Sequence, residues 1–156
     1  LALALAVERP AWRVLGADCV DGAVTLAERN RQRLGIGNAR FVRSDWFAAL
    51  PAADRYQLIL SNPPYIAEGD PHLDQGDLRF EPSSALVSGA DGLADIRQIV
   101  EQSPERLVAG GWLLLEHGFE QGSAVRALLA ARGFEQVQSW QDLAGLDRVS
   151  GGRWHA

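Results

Sequence analysis

The chain has 156 residues, a formal net charge of -5, an apolar fraction of 47% and a charged fraction of 22%. These values describe one ordinary globular domain, long enough to bury a real core. The acidic balance argues against a sequence-independent grip on nucleic acid, which shows as a basic face, and the single cysteine, Cys19, rules out an intramolecular disulfide and fits a reducing, cytoplasmic setting.

The chain contains no methionine, so Leu1 is not read as a translation start. The opening "LALALAVERP" has the look of a signal-peptide core, but no basic segment precedes it and it is too short to span a membrane. Alanine and leucine favour a helix there, cut off at its front and ending before Pro10, although the Leu/Ala alternation also permits a strand. "WRVLGAD" (12–18) reads as a strand ending in an acid, and "DGAVTLAERNRQRLG" (21–35) as a helix with Asp21 as N-cap and Gly35 as its stop. "ARFVRSD" (39–45) is a second strand ending in an acid. "YQLILSN" (56–62) is a third, apolar throughout, as strands buried on both faces tend to be. The stretch 63–90 is too long for an ordinary connection and is a candidate functional loop. Residues 91–108 read as a helix bent near Pro104, 111–118 as a strand, 120–133 as a helix, 134–142 as a strand, and 147–156 as a last pairing strand. No repeat, low-complexity tract or domain linker breaks the pattern.

Strands alternating with helices at this spacing predict an α/β, doubly wound, mostly parallel sheet. Ligands in such folds bind beyond the carboxyl ends of the strands. Asp18, Asp45 and Asn62 each close a predicted strand, so all three are expected to face one crevice. An acid about 20 residues past a Gly-rich turn accepts hydrogen bonds from ribose hydroxyls in nucleotide-binding units, and counting back from Asp18 puts that turn at or just before Leu1. Asp18 could equally be a capping or solvent-facing acid. Asp45 beside Trp46 offers an acceptor for an exocyclic amine next to a flat stacking surface, or simply a loop acid and a half-buried tryptophan.

Asn62-Pro63-Pro64-Tyr65 differs in kind. The Asn62 Oδ1 and the Pro63 carbonyl can each accept one N–H of a planar –NH₂ group. The prolines hold φ fixed and offer no competing donor, and Tyr65 can lie against the flat face of the group. Two fixed acceptors leave the nitrogen lone pair aimed at an electrophile, so positioning supplies most of the rate. The plain alternative is a proline-stiffened turn with Tyr65 in the core. Other residues carry less. His72, His117 and His155 have no metal-site spacing. Cys19 is expected to pack as a small hydrophobe. Residues 89–95 read as turn glycines with a capping acid, Glu116-His117 as a structural pair, and Arg79 with Glu81 as either the wall of a substrate channel or a pair of their own.

The order Asp18, "SDWF", "SNPPY", "DPHLDQGDLRFEP", "GADGLADI", "GGWLLLEHG" resembles the class I, Rossmann-like methyltransferases along essentially the whole chain, and more narrowly the HemK-type protein-(glutamine-N5) methyltransferases that modify peptide chain release factors. The tetrapeptide alone is shared with adenine-amine DNA and RNA methyltransferases; the loop containing "RFEP" narrows the choice. The resemblance implies S-adenosylmethionine as donor and the side-chain amide of the glutamine in a release factor's Gly-Gly-Gln loop as acceptor, with no membrane or direct nucleic-acid partner. It implies that Asp18 holds the ribose, that Asp45 and Trp46 frame the adenine, that Asn62 and Pro63 accept from the substrate amide with Pro64 stiffening the turn and Tyr65 stacked above, and that Asn62 also lies near the donor. Departing from the family pattern, the first sheet strand with its Gly-rich loop and the N-terminal helical domain are not in these residues. The chain is therefore expected to be the C-terminal part of a catalytic domain, with a gap between the strands ending at Asp18 and Asn62, and to bind donor weakly and lack activity alone. The alternatives are an adenine-amine nucleic-acid methyltransferase, a ribosomal-protein glutamine methyltransferase, and a non-catalytic binding remnant.

Overall fold

The computed structural model describes residues 1–69 and 85–155. They form two compact units, Leu1–Ala52 and Ala53–Ala156.

The first unit runs α1 (Ala2–Glu8), β1 (Val14–Asp18), α2 (Asp21–Arg33), β2 (Ala39–Arg43). The two strands pair in parallel from Val14↔Ala39 to Asp18↔Arg43, with α2 as the crossover. β1 starts later than its apolar run because the Trp12 N–H is spent on the Arg9 carbonyl in a turn, at 2.9 Å. The N-cap of α2 is Val20, not Asp21. Asp21 is instead the first helical residue, where the helix dipole favours a negative charge, and its carboxylate pairs with Arg43 Nη1 at 2.9 Å. Leu34 and Gly35 close the helix, Gly35 with φ of 66°, a left-handed conformation that glycine adopts at little cost. Ala6, Ile36 and Ala39 form the buried cluster, with Leu3, Val14 and Phe41 packed on it. The Phe41 ring covers Gly16 on the neighbouring strand; a Cβ there would fall 2.5 Å from Phe41 Cδ1. Cys19 is exposed, contrary to expectation, because it lies past the end of β1 where the chain leaves the sheet.

The second unit runs β3 (Tyr56–Ser61), α3 (Ala94–Gln102), a 3₁₀ turn (Ser103–Arg106), β4 (Leu107–Glu116), α4 (Gly122–Arg132), β5 (Glu135–Gln141), β6 (Asp147–Arg153). Its strand order is β3-β4-β6-β5. β3 and β4 are parallel, while β6 is antiparallel to both β4 and β5, so β6 alone runs backwards. The mostly parallel α/β architecture read from the sequence is the one observed. β4 alternates buried and half-buried residues, and Leu113 and Leu115 lie in a core with Ile96, Ile99, Val125 and Leu129 from the helices. β3 is half-buried rather than buried on both faces, because it is an edge strand. The helix expected over 91–108 occupies only Ala94–Gln102. Pro104 lies in the tighter 3₁₀ turn, and Leu107 already belongs to β4, where it pairs with Tyr56. Gly110, with φ of 80°, sits inside β4 instead of ahead of it. Among the described residues no helix is long and apolar enough to cross a membrane.

α1 is tied to the start of β1 by one side chain. The Asn38 amide nitrogen donates to the carbonyls of Ala6 (3.0 Å), Trp12 (3.0 Å) and Arg9 (3.2 Å), its two hydrogens shared among three acceptors at the end of the helix. Asn38→Ala is expected to cost about 1–2 kcal/mol of stability in urea unfolding of the full-length protein; an unchanged midpoint would mean that water replaces these bonds without loss.

Candidate active site

In the first unit the residues of interest follow the carboxyl ends of two neighbouring parallel strands. Asp18 is exposed, and its Oδ1 accepts the Val20 N–H at 2.8 Å, while no hydrogen bond to Oδ2 occurs among the described residues. The Ser44 N–H reaches the Asp18 carbonyl at 2.9 Å, so the ends of β1 and β2 stay side by side. Asp45 is exposed, and its carboxylate has no partner among the described residues. Trp46, half-buried, has φ of 46°, uncommon for a bulky side chain and costing of order 1–3 kcal/mol. The surroundings enforce it. Ser44, only 4% exposed, donates from Oγ to the Trp46 carbonyl (2.9 Å) and accepts the Ala49 N–H (3.0 Å), while Phe47 is buried beneath. The structure sets Asp18 and Asp45, two of the three residues expected to face one crevice, at the ends of neighbouring strands. It adds Ser44, whose role no pattern in "RSDWF" announces.

In the second unit the Asn62–Tyr65 segment leaves β3 at its carboxyl end. Asn62 is exposed and its amide makes no hydrogen bond among the described residues; nor does the Pro63 carbonyl accept one. Pro63 is fully buried, and Pro64 and Tyr65 are half-buried. The motif therefore presents the exposed Asn62 amide beside a backbone anchored by the buried Pro63. Beyond it, Ile66 bridges in parallel to Val87, so the two ends of the long loop are bound together through Ile66 N–H to Leu86 O (2.9 Å) and Ser88 N–H to Ile66 O (3.0 Å). His72, Arg79, Glu81 and the rest of "DPHLDQGDLRFEP" after Gly69 lie outside the described residues.

The loop before α3 is built around Ser88 and Asp91. The buried Ser88 hydroxyl accepts the Asp95 N–H at 2.8 Å, capping the helix from a distance. Asp91 Oδ1 accepts the Leu93 N–H, and the carboxylate pairs with Arg97. Glu116 is half-buried. His117 is wholly buried and structural: Nδ1 faces the Gly118 carbonyl at 2.8 Å, which can only accept, so Nδ1 carries a hydrogen. In the neutral ring Nε2 then accepts from Ser150 Oγ at 2.7 Å, and Ser150 in turn meets Ser139, which takes a hydrogen from Arg126. His155 lies near Glu135 on the surface.

Parallel strands joined by crossover helices, with the last strand antiparallel, fit the class I, Rossmann-like methyltransferase fold. A methyltransferase from Pyrococcus furiosus superposes with a TM-score of 0.70 at 16% identity, over 99% of this chain and 69% of that one. The S-adenosylmethionine-dependent methyltransferase SibL, in its apo form, does so with a TM-score of 0.62 at 15% identity, over 99% and 47%. Residues 1–80 match the family model described as the methyltransferase small domain, and the chain belongs to that family. It is similar to the release factor glutamine methyltransferases of Pseudomonas aeruginosa (58% identical over 150 residues, 96% of this chain and 54% of that protein) and Escherichia coli (50% over 155 residues, 99% and 56%). That of Vibrio cholerae is 51% identical over 154 residues, 99% and 54%. The chain thus spans about half the length of the curated relatives it matches.

The Asp91–Arg97 pair has a pH signature. Hydrogen bonding from Arg97, helped by the Leu93 N–H, lowers the Asp91 carboxyl to about 2. Its unfolded value lies near 4, so its contribution to stability is complete above that pH and fades as pH falls through about 2. Thermal unfolding of wild type and Asp91→Asn is expected to show a melting gap that is constant above about pH 5 and closes toward pH 2; a gap independent of pH would exclude the ionic contribution.

Proposed function

We propose that this chain carries the acceptor site, and the ribose and adenine contacts of the donor site, of a protein-(glutamine-N5) methyltransferase. Its substrate is the side-chain amide of the glutamine in the Gly-Gly-Gln loop of peptide chain release factors, and it works in the cytoplasm, where translation ends. One observation carries this reading: an exposed Asn62 amide, uncommitted among the described residues, precedes a fully buried Pro63 in a chain 58% identical to a release factor glutamine methyltransferase.

The residues present fit S-adenosylmethionine. Asp18 keeps an open carboxylate oxygen for ribose hydroxyls, Asp45 an unpartnered carboxylate for the adenine amine, and Trp46 a surface held in place by a strained backbone. When bound, the donor supplies an electrophilic methyl group on a positively charged sulfur. Everything else falls to the chain. Asn62 Oδ1 and the Pro63 carbonyl take the two N–H hydrogens of the substrate amide, and Tyr65 covers its flat face. An amide nitrogen is a poor nucleophile because its lone pair is delocalised into the carbonyl. Holding the –NH₂ in one orientation removes the entropic part of the barrier. Anchored acceptors also strengthen as the nitrogen gains positive character in the transition state. As the N–CH₃ bond forms and the donor's S–CH₃ bond breaks, the amide nitrogen loses one proton, which passes to water at the exposed Asn62.

The decisive assay uses the full-length protein with an intact release factor and with one whose loop glutamine is replaced by alanine. Methyl incorporation detected by mass spectrometry should vanish only with the alanine form; incorporation into both, or into nucleic acid alone, overturns the substrate. Asn62→Ala is expected to reduce kcat about 100-fold with little change in donor Kd; equal loss of both would assign Asn62 to the donor. Asp18→Ala should weaken donor binding about 10- to 100-fold by calorimetry and spare release-factor binding. Unchanged donor affinity would remove Asp18 from the ribose.

A further inference from the structure

We infer that Gln121 is a positioning residue for the acceptor site: its amide sets where Tyr65, and with it the Asn62–Pro63 acceptors, stand. The role rests on the proposed amide methylation, but the geometry is independent of it. Gln121 lies just before α4, in the turn that follows β4. Its Nε2 donates to the Tyr65 carbonyl at 2.9 Å and to the Asp91 carbonyl at 3.4 Å, and its Oε1 accepts the Gly118 N–H at 2.9 Å. One planar group thus links three separate loops: the tail of β3, the turn before α3 and the tail of β4.

Two glycines fit this reading. A Cβ on Gly92 would fall onto the Tyr65 carbonyl oxygen and come within 2.8 Å of Gln121 Nε2, and Gly92 has φ of 72° besides. A Cβ on Gly118 would lie 3.1 Å from Gln121 Oε1 and 3.7 Å from Tyr65 Cδ2. Both backbones approach as closely as they do because the Gln121 amide and Tyr65 fill the space between them. Gly118 is held from the other side by buried His117, whose ring is braced through Ser150 and Ser139 to Arg126. The linking group therefore bears on a fixed wall. Tyr65 comes only three residues after Asn62, with two φ-locked prolines between, so a shift of the Tyr65 carbonyl is transmitted to the acceptors with little slack.

Donor and acceptor requirements give a specific test in the full-length protein. Gln121→Met keeps the length and loses every hydrogen bond. Gln121→Glu keeps the acceptor for Gly118 but, when ionised, sets a negative oxygen against two carbonyls; protonation gives it an O–H that can donate to Tyr65. Both variants are expected to lose about 10- to 100-fold in kcat for release-factor methylation near neutral pH, with donor Kd within twofold of wild type. As pH falls, the activity of Gln121→Glu relative to wild type should recover, while that of Gln121→Met stays flat. Turnover within twofold of wild type in both variants, or loss that follows donor affinity or melting temperature, overturns the role. Amide hydrogen exchange gives a readout free of the reaction: Gly118 and Ile66 should exchange faster in Gln121→Met while the β4 interior is unchanged. Unchanged exchange at both amides overturns the proposal even if the enzyme proves to act on another substrate, whereas a wild type that methylates no release factor overturns only the substrate.

Discussion

Pro63 and Pro64 have no amide hydrogen, and the carboxyl edge of the second unit is organised around that deficit. A parallel strand holds its neighbour through N–H groups on alternate residues. The β3–β4 ladder ends at Ser61↔Leu115, and the two prolines that follow Asn62 have no N–H to donate. β4 continues to Glu116 because its other edge still pairs, with Val149 of β6. The sheet therefore ends in a step: one strand stops, the next goes on, and Asn62 is left exposed at the lip with its amide uncommitted. Burial of the Pro63 ring anchors that lip, together with the Gln121 hydrogen bond to the Tyr65 carbonyl.

Where a ladder ends, the freed backbone groups need other partners. Both units solve this with short polar side chains. In the first, Ser44 satisfies the Trp46 carbonyl and the Ala49 N–H, stabilising a left-handed tryptophan that would otherwise relax. In the second, Gln121 serves Tyr65, Asp91 and Gly118 together, and Ser88 caps α3. The groups that make these turns rigid are neutral amides and hydroxyls, which hold shape without the desolvation penalty of buried charge. The charged residues Asp18 and Asp45 are exposed instead.

Much of this was legible in advance. Alternating apolar runs and helix signals located nearly every element, because burial periodicity and end signals are local properties. Strand-end chemistry marked Asp18, Asp45, Trp46 and Asn62–Tyr65 as candidates, because ligands of α/β sheets bind beyond the carboxyl ends of the strands. The errors were also physical. Residues 91–108 looked like one helix, since propensity does not reveal that Leu107 pairs with Tyr56, 51 positions earlier in the chain. Cys19 looked like a core residue, since its type says nothing about lying past a strand end.

The sequence by itself determined the order of strands and helices, the stop imposed by two prolines and the residue types able to clamp an –NH₂ group, because each follows from local geometry or side-chain chemistry. Only the tertiary structure decided which distant backbones meet. That Gln121 reaches Tyr65 across 56 positions, that Gly92 leaves room for them both and that His117 meets Ser150 are results of packing. Contacts of that kind come from non-local closeness, which no periodicity or spacing along a chain encodes.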